Sequence, residues 1–251
     1  MRRWRFGKYG FVGVIVMLLG VLMGALSSRA STEYPWPQVT RPGIYLAYDY
    51  HGHDPATYGT VGSLASFHWS QLEPEEGVYT FDVIDVWLDN LSRRGLKGSF
   101  FVDLLDGGCD GDRSLPAYIR DDPHMAVRRN LGYSCPQSGR TWKALPNYIN
   151  PQLQERYRLL IERLGARYKD DPRVEFVAIG TGIYGETRAA ADPEDRAVLE
   201  RAGLTTDNWV EFCNKVTDWY VHAFSDTQGR LLKPLLQQTG DVSRWRGRSF
   251  W

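Results

Sequence analysis

Net charge is what this chain lacks first. Its 30 Lys and Arg residues are balanced by 30 Asp and Glu over 251 residues, so no bulk field draws it to nucleic acid or to an anionic surface. Cysteine is scarce as well: the three present have no CxxC spacing and no cluster with any of the five histidines, which removes the usual sequence basis for zinc. A dinucleotide site is also excluded. The glycines of Gly180, Gly182 and Gly185 stand after the fourth strand candidate, not the first, with no matching acidic residue behind a second strand. No cofactor or metal is expected. Apolar runs approaching membrane length are limited to Phe11 to Leu26, a little short of the ~20 residues of a spanning helix.

What is present begins with that run. Arg2, Arg3, Arg5 and Lys8 precede it and Ser28-Arg29-Ala30 follow, in the order a secretory signal requires. Residues 1–30 therefore read as a cleaved signal peptide or as a signal anchor in the cytoplasmic membrane through residues 11–26. Either way the remainder lies outside the cytoplasm, secreted or membrane-held. In that oxidising setting Cys109 and Cys135, which share one glycine-rich polar connection, are expected to form a disulfide. Cys213 shares a helical face with Trp209, Phe212, Val216 and Tyr220 and reads as a buried free thiol. Aromatics make up 13% of the chain, a surplus suited both to stacking on sugar rings and to a bulky core.

Residues 31–42 read as a Pro-rich linker. Strand candidates follow at Gly43 to Tyr48, Val61 to Phe67, Lys97 to Val102, Phe176 to Ile179 and Leu232 to Gln238. Between them, Ile84, Trp87, Leu88 and Leu91 mark one helical face, and Tyr157, Leu160, Ile161, Leu164 and Tyr168 mark another behind an Asn150-Pro151 start. A third helix spans Trp209 to Phe224 behind a Thr206 cap. Leu104 to Tyr148 shows no sustained period beyond a turn of helix at Leu115 to Ile119, and reads as a long loop, either functional or disordered. Alternation of strand and helix predicts a parallel α/β sheet over 43–240; residues 241–251 read as an unstructured tail.

Parallel sheets place their chemistry at the carboxyl ends of strands. Glu186, directly after the glycine turn that follows the fourth strand candidate, is the candidate functional acid. The competing reading has it opening a short helix at Thr187 to Ala190, where a negative charge suits the helix dipole. Asp49 and Asp103 stand at the exits of the first and third strands, as hydroxyl ligands or turn formers. Trp69 is a sugar platform or a core cap, Tyr184 lines or orients the pocket, and His68 reads as a satisfied strand-end histidine. Glu73, Glu75 and Glu76 read as a solvated turn.

Trp69 to Asp82, with its Leu72-Glu73-Pro74-x-x-Gly77-x-Tyr79-x-Phe81 run and Ile84-Asp85 beyond, resembles the second-strand segment of the clan A glycoside hydrolases, most of all the family 42 beta-galactosidase-like proteins. Arg156 to Glu186 is similar to the helix and fourth strand of the same barrels, and Gly180 to Arg188 also resembles the acid-bearing segment of beta-amylases. The resemblance implies a TIM-type (β/α)8 barrel, here with about the first five strands, that acts on the O-glycosidic bonds of an oligo- or polysaccharide. It implies Glu186 as general acid/base, although Gly185 stands where the clan has Asn. Two carboxyl groups are needed for such chemistry, and the clan's second lies after the seventh strand. The expectation from sequence is thus a truncated barrel, inactive alone, with a non-catalytic carbohydrate-binding or surface interaction module as the alternative.

Overall fold

The third strand shows why the sheet is legible: in KGSFFVD every position after Lys97 is buried, which happens only when helices cover both faces. In the computed structural model the described residues are 37–47 and 59–237, all within one compact unit. Asp49, the signal segment and the tail lie outside them. Strands β1 (Ile44–Ala47), β2 (Thr60–His68), β3 (Lys97–Asp103), β6 (Val174–Ile179) and β7 (Leu235–Gln237) form one five-stranded sheet in the order β1-β2-β3-β6-β7. Every neighbouring pair is parallel. Strand order that advances in one direction, without the reversal of a doubly wound sheet, belongs to a TIM-type barrel, of which five of eight strands are described.

Helices carry the crossovers: α1 (Trp69–Leu72), α2 (Asp82–Ser92), α3 (Ala117–Arg120), α4 (Pro151–Tyr168), α5 (Pro193–Arg201) and α6 (Thr206–Ala223). Asn150 caps α4, its side chain accepting from the amides of Gln152 and Leu153, and the expected stripe from Tyr157 to Tyr168 is wholly buried. The cap of α6 is Thr205, not Thr206, whose neighbour Asn208 completes the reciprocal box. Among the described residues no helix is long and apolar enough to cross a membrane.

Besides the single turn α1, two features went unforeseen. The long connection after β3 contains an antiparallel hairpin, β4 (Ala126–Asn130) and β5 (Trp142–Pro146), whose inward face bears Arg129 and Lys143, both buried. Helix α5 buries only Asp195 and Leu199. Charge at core positions hid both from a reading by apolar period. Glu73 also departs from expectation: it is fully buried, accepting from the indole of Trp69 at 2.8 Å and from Gly77 at 2.9 Å, and it pairs with Arg156.

Cys109 and Cys135 are joined, closing 26 residues of the same connection, while Cys213 is free. Burial pushes the Cys213 thiol up to about 12, which makes it a poor nucleophile. Replacing both bridged cysteines by Ser is expected to lower stability by about 3 kcal/mol, the chain-entropy value for such a loop. Equal urea midpoints for variant and parent would contradict this.

Candidate functional site

Register builds the site. His68 and Asp103, the last residues of β2 and β3, are paired neighbours, so their side chains leave the sheet at one level. Past the strand ends, Leu105 and Ile183 form a further parallel bridge, and the Tyr184 amide donates to the Leu105 carbonyl at 3.0 Å. The turn carrying Glu186 is thereby held against the segment carrying Asp103 and Asp106.

Within that turn the backbone reverses tightly. Gly182 donates to the Glu186 carbonyl at 2.9 Å, Glu186 to that of Ile183 at 3.0 Å, and Ile183 to that of Arg188 at 2.9 Å. Gly185 has φ +71°, and a Cβ there would stand 2.4 Å from the Phe101 ring. The position therefore requires glycine twice over, which accounts for Gly185 in place of Asn. Tyr184 itself has φ +56°, strain of a kind that gathers at functional sites. Gly107 gives its phenol room, since a Cβ there would meet the Tyr184 hydroxyl at 1.7 Å. No helix forms at Thr187 to Ala190, so Glu186 is not a helix-opening residue.

Glu186 is partly exposed and pairs with Arg188 at 2.7 Å, a close ionic contact that leaves Oε2 without an aligned hydrogen bond. Asp103 is 3% exposed, and its Oδ1 has no partner. Burial first, then the charge of Asp106, raise its carboxyl to about 7; Glu186 adds to the rise and a hydrogen bond with Ser66 opposes it. His68 is lowered, by burial and by Arg113 against the pull of Asp106. Tyr184 is raised, by burial and then Asp106, so it remains a neutral phenol. At neutral pH the cluster thus offers a carboxyl that still carries its proton part of the time, a partly exposed glutamate and an uncharged phenol. Such a set can both donate and accept protons at one mouth.

The structure brings Glu186, Asp103 and Tyr184 together. It does not give Trp69 the expected role: the indole is fully buried, its Nε1 committed to Glu73 and its ring 5.1 Å from that of Tyr157. With no face open, it is a core residue and not a sugar platform. Asp106, Ser66 and Arg188 were missed. Only Arg188 stood in a quoted motif; Asp106 and Ser66 needed the register of β2 against β3. A cavity of about 580 Å³ lies away from this mouth, between β4 and α5.

Asp103 yields a pH test. A carboxyl whose folded value lies above its unfolded one weakens the fold as pH climbs from the unfolded value, ~4, through about 7. Asp103→Asn is therefore expected to gain stability over the parent at pH 8 and none at pH 4. At ~1.4 kcal/mol per pH unit the gain is on the order of a few kcal/mol. Denaturant midpoints at the two pH values read it, and a difference independent of pH would refute it.

A parallel barrel with acids gathered at its strand exits is the arrangement from which barrel enzymes work, at the carboxyl face of the sheet. Residues 57–192, over half of the chain, match the beta-galactosidase family called glycoside hydrolase family 42, and the chain belongs to that family. Beta-galactosidase BglY of Alicyclobacillus acidocaldarius is 27% identical over 172 residues, 63% of this chain and 23% of that protein. This chain thus spans less than a quarter of that relative. Among solved structures, the cold-adapted beta-galactosidase of Rahnella sp. R3 is 23% identical, covering 59% of this chain and 21% of its own, with a TM-score of 0.33. The GH5_18 protein of Streptomyces cattleya in complex with GlcNAc is 15% identical, covering 74% and 37%, with a TM-score of 0.47.

Proposed function

We propose that this protein acts on O-glycosidic bonds of a glycan, with Glu186 as the general acid/base. The observation that carries the reading is the Glu186 carboxyl on a strained glycine turn after the fourth parallel strand, set beside the buried Asp103. Glu186 gives its proton to the glycosidic oxygen as the bond to the anomeric carbon breaks, and that carbon takes its new bond from a second carboxylate or from water that such a carboxylate activates, a group not assigned among the described residues. For the proton transfer the contact with Arg188 opens as the leaving oxygen arrives. Asp103, largely out of water with Oδ1 unpaired, binds a sugar hydroxyl, and Tyr184 lines the same mouth. The name of the relative BglY makes a β-galactoside the first substrate class to test. The Arg-rich start and apolar run from Phe11 to Leu26 support export, so the glycan is met outside the cytoplasm.

The test is release of aryl alcohol from aryl β-galactosides, with titration calorimetry of a non-cleaved thiogalactoside alongside. Turnover that depends on Glu186 supports the reading. Binding without turnover leaves carbohydrate recognition as the function, and neither binding nor turnover ends the glycan reading.

A further inference from the structure

A phenol taken out of water loses free energy unless its hydroxyl finds a partner, and two phenols behind the sheet spend theirs on one glycine. Tyr157 of α4 and Tyr220 of α6 are both fully buried. Their helices lie side by side, so close that a Cβ on Gly165 of α4 would stand 2.3 Å from the Ala223 carbonyl of α6. The Tyr157 hydroxyl donates to the Gly180 carbonyl at 2.7 Å. The Gly180 amide donates to the Tyr220 hydroxyl, and the two hydroxyl oxygens are 3.4 Å apart. Gly180 is the first residue past β6, and no side chain fits there, since a Cβ would stand 2.2 Å from the Val102 carbonyl and 3.1 Å from the Tyr157 hydroxyl.

What this clamp grips is the root of the Glu186 turn. Gly180 opens the stretch that carries Glu186, and Val102 immediately precedes Asp103, so one residue, held from behind, sits against the bases of both acids. The far end of the stretch is held in the same manner, the Ala189 carbonyl accepting from the buried Tyr148 hydroxyl at 3.0 Å. Burial raises the Tyr157 and Tyr148 phenols well above their ordinary value and pushes Tyr220 up to about 12, so all three keep their protons wherever a glutamate is ionised. Phenylalanine would fill the same space: the Tyr157 ring lies 5.1 Å from that of Trp69, and the Tyr220 ring 6.1 Å from that of Phe224. What the hydroxyls add to the core is their hold on Gly180.

We propose that Tyr157 and Tyr220 are positioning residues for the general acid, setting through Gly180 the place at which Glu186 meets the glycosidic oxygen. The proposal rests on the glycosidase reading above and adds to it the groups that aim its acid. A misplacement of about 1 Å costs on the order of 10²-fold in rate, so a slackened turn shows in kcat. The test is Tyr157→Phe in the full chain, assayed on aryl β-galactosides of poor and of good leaving group. For the poor leaving group kcat is expected to fall ~10-fold or more, and for the good one, which needs no proton, by a few-fold at most, with KM within a few-fold for both. Hydrogen exchange at the amides of Gly182, Ile183 and Glu186 is expected to quicken. Tyr220→Phe, which keeps the bond to the Gly180 carbonyl, should give the same pattern more weakly, and it replaces Tyr157→Phe if that variant does not fold. Tyr168→Phe is the control: it removes a phenol hydroxyl from the same helix, one that serves Phe81 and Asp85 at 3.3 Å, and should alter neither the leaving-group dependence nor exchange in the turn. Equal loss with both leaving groups, or turn exchange no faster than in Tyr168→Phe, overturns the positioning role and spares the glycosidase reading. A parent that turns over neither substrate overturns the glycosidase reading itself, and exchange in the Glu186 turn that Tyr157→Phe leaves unchanged then overturns the clamp as well.

Discussion

Glu186→Gln is expected to lower glycoside cleavage by about 10²- to 10⁴-fold while leaving ground-state affinity for substrate within a few-fold, the usual loss for a removed general acid/base. Gln keeps the size and the hydrogen-bonding reach of Glu but cannot transfer the proton. Affinity survives because the turn is held by backbone hydrogen bonds among Gly182, Ile183 and Arg188, none of which uses the carboxyl. Losing the charge also releases Arg188 from its 2.7 Å contact, and Asp103 loses a negative neighbour that helps raise it. The residual activity of the variant should therefore show its carboxyl limb displaced toward lower pH. Stopped assays with an aryl glycoside of good leaving group separate the steps, since a poor general acid matters least where the leaving group needs no proton. Unchanged turnover with every leaving group would move the acid to another residue, and Asp103 is the next to test.

Much of this was legible because the strands are buried on both faces and read as apolar runs. Phe100 to Val102 and Val177 to Ile179 needed no partner to be recognised, and Asn150-Pro151 announced the start of α4. The position of Glu186 followed from the same logic, since glycine turns after buried strands fall at the carboxyl face. The hairpin and α5 were illegible for the opposite reason: they bury charges. Lys143 is 2% exposed and Asp195 fully buried, so each looks like surface until the partner is in place. Glu73 and Trp69 deceived each other in the same way, a polar turn and an aromatic at a strand exit that turn inward to satisfy one another. The contribution of Asp106 and Ser66 to the site depends on register between strands far apart in sequence, which no single-segment pattern contains.

Asp195→Ala is expected to cost 3–5 kcal/mol of stability, the range for breaking a buried ion pair by deleting one partner. Asp195 stands on the first turn of α5 with Oδ1 2.5 Å from Arg129 and Oδ2 2.7 Å from Lys143. Arg129 keeps Asp192 at 2.8 Å, along with Glu194, but the Lys143 ammonium has Asp195 as its one ion-pair partner among the described residues. Deletion therefore strands a cation that water cannot reach, whereas Glu194→Gln, at a side chain 75% exposed, should cost under ~1 kcal/mol. Removing both ends, as Asp195→Leu with Lys143→Met, should recover most of the loss, because no charge then remains uncompensated. The cluster also reaches the site. It clamps α5 to the hairpin, and the Tyr148 hydroxyl, between hairpin and α4, holds the Ala189 carbonyl at 3.0 Å, so both ends of the segment leaving Glu186 are tied to this side of the protein. Asp195→Ala should accordingly speed hydrogen exchange at the amides of Ile183 and Glu186 as well as those of α5. Protection lost in α5 alone would show that the Glu186 turn is held by β3 without help from the cluster, and a stability change below ~1 kcal/mol would mean that the stranded lysine finds water or another acid.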